Sequence, residues 1–193
     1  INLKEVRYMS EEFVISQCSP TMAGLKTGNL FTCPINSRRE FTEDLKNYNA
    51  RLVPKGVRLL PLRVGEKSAL VYMYRPDRLK TDLSNSLACG MLKKRRYPSE
   101  NADRCIVELI KRLKSDKSFP HEIGLFLGYP AEDVDGFVRY GAKNAKSVGA
   151  WKVYGNEEEA KKKFALYKKC TGAYKNAYSK HKSFDRLVVS LQK

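Results

Sequence analysis

The sequence predicts an α+β fold: a small, mostly antiparallel sheet covered by five or more helices. Three observations carry this. Val57 to Val64 and Ser68 to Tyr74 are β-rich runs joined by Gly65-Glu66-Lys67, a hairpin signal. Several stretches repeat apolar residues at helical spacing. Phe119 to Phe137, FPHEIGLFLGYPAEDVDGF, places Gly128 just before Tyr129-Pro130 and reads as helix, tight turn, helix. At 193 residues the expectation is one domain spanning 1–193, long enough for a sizeable core.

The elements follow in order. Glu11 to Cys18 reads as a short helix or strand around Phe13, Val14 and Ile15. Cys18 to Pro34, CSPTMAGLKTGNLFTCP, is small, hydroxyl-rich and glycine-punctuated, and reads as a loop or a turn into a short helix. A helix is expected from Asn36 to Leu52. Ser37 and Glu40 fit a capping box, and Phe41, Leu45, Tyr48 and Leu52 form its stripe. Pro54-Lys55-Gly56 ends it. Pro61 argues that the first hairpin strand is an edge or carries a bulge. Arg75-Pro76-Asp77 is a stop, and Arg78 to Met91 holds one or two short helices.

Lys93-Lys94-Arg95-Arg96, followed by Tyr97, is the sharpest basic run; it suits phosphate backbone or, more ordinarily, a solvated loop. Ser99 is placed as the cap of a helix through Lys114. In the helix pair, Pro120 opens the first turn, Gly128 closes the helix in a left-handed conformation, and Pro130 opens the next. Glu132 and Asp133 suit the positive end of that second helix. The spacing also fits a helix-turn-helix. However, Glu132, Asp133 and Asp135 would repel phosphates, so a plain packed pair is the preferred reading. Gly149 to Gly155 reads as a short strand with the sole Trp, Asn156 caps a long helix to about Tyr178, and Phe184 to Leu191 is a last strand or helix.

Composition bounds the function. The net charge of +16 favours nucleic acid, an anionic surface or small acidic ligands as partners. Five cysteines, at 18, 33, 89, 105 and 170, contain no CxxC, so neither a disulfide framework nor a zinc site is indicated. A reducing, cytoplasmic setting is the economical assumption. The first residues, INLKEVRYMS, hold no apolar run, and no stretch spans a bilayer. No cofactor and no metal are implied.

Three functions compete. The first is binding of a small anionic ligand by the Ser19–Lys26 loop. Ser19, Thr21 and Thr27 would donate hydroxyls, Lys26 a point charge, and Lys152 and Tyr154 would lie near the start of the His121 helix. The second is a thiol enzyme with Cys18 as nucleophile, His121 as base and Glu122 orienting the imidazole. The third is weak, nonspecific binding of nucleic acid or an anionic surface by lysine-rich faces.

CSPTMAGLK (Cys18 to Lys26), FPHEIGLFLGYPAEDVDGF and GAWKVYG (Gly149 to Gly155) together resemble an uncharacterised bacterial family, a domain of unknown function. The resemblance spans most of the chain. It brings no activity and no catalytic residues. Ala145-Lys146-Ser147 departs from the family's Lys-Cys-like pair ahead of the Trp phrase, so it brings no thiol in that loop. What it implies is that the three phrases meet in space.

Overall fold

A computed structural model of the chain describes residues 9–115 and 119–191. The first eight residues of INLKEVRYMS, read above for its lack of an apolar run, lie outside that set.

The architecture is α+β. Strands β1 (Gly28–Pro34), β2 (Arg58–Val64) and β3 (Ser68–Tyr74) form one antiparallel sheet in the order β1-β3-β2. Gly28 lies opposite Tyr74 and Pro34 opposite Ser68, so β1 and β3 pair along their whole length. The register of β2 shifts between Pro61 and Arg63. Pro61 thus sits on an edge strand at an irregularity, where its missing N–H is tolerated.

The helices are α1 (Glu11–Met22), α2 (Arg38–Leu52), α3 (Pro76–Leu83), α4 (Ser86–Lys94), α5 (Ala102–Ser115), α6 (Ile123–Phe126), α7 (Ala131–Tyr140) and α8 (Glu157–His181). Among the described residues, no helix is long and apolar enough to cross a membrane. Strands β4 (Ser147–Val148) and β5 (Lys152–Val153) form a separate hairpin.

Strand periodicity divides the core. On β3, Ala69, Val71 and Met73 face one cluster, with α1, α2 and Phe184, while Tyr72 and Tyr74 face the other, with α3 to α7. The sheet is therefore covered on both faces. A third, small cluster joins Trp151, Val153 and Ala160 to the rings of Tyr129, Phe164 and Tyr167.

Several local expectations are met by side-chain caps. Ser37 accepts from the Glu40 N–H at 3.2 Å, and Asn156 from the Glu159 N–H at 3.1 Å. Others are corrected. Residues Cys18 to Met22 are not loop but the buried last turns of α1, which runs through Pro20. Every residue from Cys18 to Met22 is buried there, and that packing outweighs the lost proline hydrogen bond. Asn101 rather than Ser99 caps α5, accepting from the Arg104 N–H at 3.0 Å. Gly149 to Gly155 is the turn and second strand of a hairpin rather than one strand. Phe184 to Leu191 contains a 3-10 turn at Asp185–Leu187, and Val189 donates its N–H to Met22 O. The first helix of the central pair is a single turn, shorter than the Pro120–Leu127 span expected.

Arg75, read only as part of a stop, is 2 % exposed. Its Nε donates to Thr21 O and its Nη2 to Met22 O and Val189 O, each at 2.7 Å; Nη1 reaches Lys55 O at 3.4 Å. The last carbonyls of α1 have no intrahelical partners, and a cation is favoured at that negative end. One guanidinium therefore ties α1, the end of β3, the turn after α2 and the C-terminal segment together.

Gly128 has φ +73°, as a left-handed closure requires. A Cβ there would also lie 2.6 Å from Thr27 Oγ1 and 3.2 Å from Asp82 Oδ2, the two ends of a hydrogen bond running past it. We predict that Gly128→Val destabilises the fold by about 1 kcal/mol or more, since a β-branched residue is strained at that φ. Thermal unfolding should show a midpoint at least about 2–4 °C lower. An unchanged midpoint would contradict the left-handed role.

Candidate functional site

The site is built outward from α7. Asp133 falls in its first turn, after Pro130, and is 2 % exposed. Its Oδ2 accepts from Trp151 Nε1 at 2.7 Å. Its Oδ1 accepts from the Tyr154 and Gly155 N–H groups, both at 2.7 Å. A buried carboxylate needs such donors, and here they are the indole and backbone of the β4–β5 hairpin. Gly136, one turn on, leaves room for Tyr154, whose Cγ would lie 2.4 Å from a Cβ at that position. The hairpin is thereby hung on α7.

This suspension brings Trp151 onto Tyr129. The two rings stack with centroids 4.8 Å apart, and Phe164 of α8 meets Trp151 edge-on at 4.6 Å. Lys26 extends from the turn after α1, and its Nζ lies 5.1 Å from the Tyr129 centroid and 6.0 Å from that of Tyr167. The three sequence phrases thus meet at one ring, Tyr129. Lys26 is 6 % exposed; its backbone N–H donates to Pro20 O at 3.1 Å, and its side-chain amine makes no ion pair with an acid among the described residues. Burial lowers its amine to about 8.

Beside the stacked pair is a cavity of about 270 Å³. Its lining includes the rings of Phe119, Tyr129, Phe137 and Trp151, the aliphatic side chains of Ile123 and Val134, and three titratable residues, His121, Asp133 and Lys152. The His121 ring stands edge-on to Phe137 at 4.9 Å. Lys152 Nζ lies 5.6 Å from the Phe137 centroid, and no acid pairs with it among the described residues. The oxygens of Asp133 are already engaged by three donors, which leaves Lys152 as the cation beside the cavity.

The residues singled out from sequence separate into groups. Lys26, His121 and Lys152 stand at or around the Tyr129 stack and its cavity. Ser19, Thr21 and Thr27 do not form an open cradle. Ser19 donates to Ile15 O, Thr21 to Asn29 Oδ1 at 2.7 Å, and Thr27 to Asp82 Oδ2. Each hydroxyl is spent inside the fold: Ser19 and Thr21 lie in the buried last turns of α1, and Thr27 lies in the buried turn that leads into β1. Cys18 is wholly buried in the first core cluster, and burial pushes its thiol well above the usual range, away from the nucleophilic thiolate. No hydrogen bond joins it to His121 among the described residues. Glu122 does not orient His121 either. It accepts from the Tyr97 hydroxyl at 2.9 Å and pairs with Arg95 and Arg112 at 3.5 and 3.6 Å. Tyr154 is outside the cavity wall; its hydroxyl donates to Gly141 O.

Tyr129, Phe137, Asp133 and Trp151 were missed as site residues. Their signal was present as a lone Trp and a Tyr-Pro dipeptide, but aromatic residues in a helical pattern read first as core.

Two outcomes follow from this geometry. Asp133→Ala leaves the Trp151 and hairpin N–H groups without their acceptor and should cost about 2 kcal/mol or more. Because Trp151 is the sole Trp, its emission should shift to the red and its quenching by acrylamide should increase. Emission like that of the parent would show that the clamp does not hold the ring. For Lys26, the unfolded chain binds more protons than the folded one between about pH 8 and the ordinary lysine range, so rising pH stabilises the fold through this group. The difference in unfolding midpoint between the parent and Lys26→Met should move in the parent's favour from about pH 7.5 to about pH 9.5. A flat difference would show an unshifted amine.

A family model described as "Protein of unknown function (DUF3793)" matches residues 14–188. No curated protein and no solved structure matches the chain. The match takes in α1 from its first turn, both sheets, the Asp133 clamp and the Tyr129 stack, and the chain belongs to the DUF3793 family.

Proposed function

We propose that the protein binds a small, planar, mostly apolar ligand bearing one anionic group, in the cavity beside Tyr129 and Trp151. The observation that carries this reading is the wall: four aromatic rings around about 270 Å³, with the Lys152 amine beside them and no acid paired to it among the described residues. Ligand sites are concave and chiefly apolar, with a few polar groups that set orientation. Rings offer stacking surface at little entropic cost, and a half-desolvated amine offers an anion its counter-charge.

The reading keeps the class of ligand expected from the composition and moves its seat. The hydroxyls of Ser19, Thr21 and Thr27 have internal acceptors, so the anion is assigned to Lys152 rather than to the turn around Lys26. Lys26 then acts from behind the wall, holding the Tyr129 ring by its cation. The one-turn length of α6 and the inward Asp133 give no support to base reading by α7.

The test is a titration followed by Trp151 fluorescence, with 2-naphthoate and its uncharged counterpart 2-naphthamide. Naphthoate should quench the parent protein and raise its unfolding midpoint. Lys152→Met retains an apolar stem and loses the charge; it should weaken naphthoate about tenfold and leave naphthamide within about twofold, the effect of one charge-assisted contact. Failure of both compounds to perturb Trp151, or equal weakening of both by Lys152→Met, would overturn the assignment.

A further inference from the structure

The outer face of α8 carries a second feature, independent of the cavity. Between residues 160 and 184 the chain holds eight lysines and no acid. Lys161, Lys168 and Lys175 recur every seven residues, two helical turns or about 10.5 Å apart. The other positions on the same stripe are small: Ala165 and Gly172 between these lysines, and Ser179 one turn beyond Lys175. Lys161 is paired with Glu157 at 2.9 Å, and Lys182, just beyond the helix, with Glu12 at 2.9 Å. The two central lysines, Lys168 and Lys175, are exposed and have no acid partner among the described residues. Between them lies an open hollow of about 540 Å³ that Tyr167, Thr171 and Gly172 help to line, with Phe164 at one end. Nothing lies within 4 Å of a Cβ built at Gly172, so its floor is open to a ligand.

We propose that this face of α8 binds single-stranded nucleic acid, with Lys168 and Lys175 on phosphates and a base against the rings of Tyr167 and Phe164. Single-strand sites combine unpaired cations along the backbone path with aromatic surface on which any base can stack. The hollow supplies both within two helical turns. Lys26 Nζ, 6.0 Å from the Tyr167 centroid, adds positive potential at the same ring. An anionic bilayer is the less fitting occupant. A membrane-lying helix presents bulky apolar residues for insertion, whereas this stripe carries Ala, Gly and Ser beside its lysines. The acidic first turn, Glu157 to Glu159, sets one end of the path.

The test measures anisotropy of a labelled oligo(dT) twenty-mer with the full chain between about 50 and 300 mM NaCl. Binding of the parent should weaken with salt. Lys168→Gln/Lys175→Gln should lower affinity about tenfold or more at 100 mM and flatten the logarithmic salt slope by about 1.4, two single-strand phosphate contacts. Lys93→Gln/Lys94→Gln removes the same net charge from the basic run after α4 and should stay within about twofold of the parent. Tyr167→Leu should weaken binding at an unchanged salt slope. The proposal is overturned if the two lysine pairs act alike, which is bulk charge alone; if Tyr167→Leu binds like the parent; or if the oligonucleotide is not bound while phosphatidylserine vesicles are.

Discussion

The buried guanidinium of Arg75 is the constraint around which the fold closes. It has no carboxylate partner among the described residues; backbone carbonyls of Thr21, Met22, Lys55 and Val189 receive it instead. Those carbonyls belong to segments far apart in sequence, and two of them end α1, where the helix leaves acceptors unmet. Desolvation lowers the basicity of the group, yet arginine stays charged across the accessible range, so the cost of burial must be met by these bonds. A lysine could not replace the fork, because several carbonyls at different angles need several fixed N–H directions. The same node sets the turn that follows α1, and with it the position of Lys26.

A second buried charge does for the site what Arg75 does for the fold. Asp133 gathers an indole N–H and two backbone N–H groups from a hairpin of only two residues per strand. Such a hairpin is not stable by itself. Its attachment to α7 fixes Trp151 against Tyr129, and the stack closes the wall of the cavity. The two nodes are linked through Thr27. Its carbonyl accepts the Arg75 N–H, and its hydroxyl binds Asp82 across the backbone of Gly128, next to Tyr129. The left-handed glycine is therefore both a helix stop and the gap through which the two halves of the arrangement touch.

What the sequence by itself determined were the features that depend on near neighbours. The hairpin about Gly65, the stripe and cap of α2, the cap and dipole pattern of α8, the edge or bulge position of Pro61 and the left-handed Gly128 each follow from a residue's own backbone preference or its partners three or four positions away. Lys26, His121 and Lys152 were legible as candidates because charge and imidazole chemistry are properties of single residues. The tertiary structure decided the rest. Whether Cys18 to Thr21 is an open loop or a buried helix end turns on packing against β1, β3 and the C-terminal segment, which local composition does not encode. Whether a hydroxyl is free to meet a ligand depends on acceptors such as Asp82, 55 positions from Thr27. Arg75 and Asp133 looked like a stop signal and a helix-dipole residue because the groups they bind lie far along the chain. A buried charge is defined by distant partners and by excluded water, and both exist only once the chain has folded.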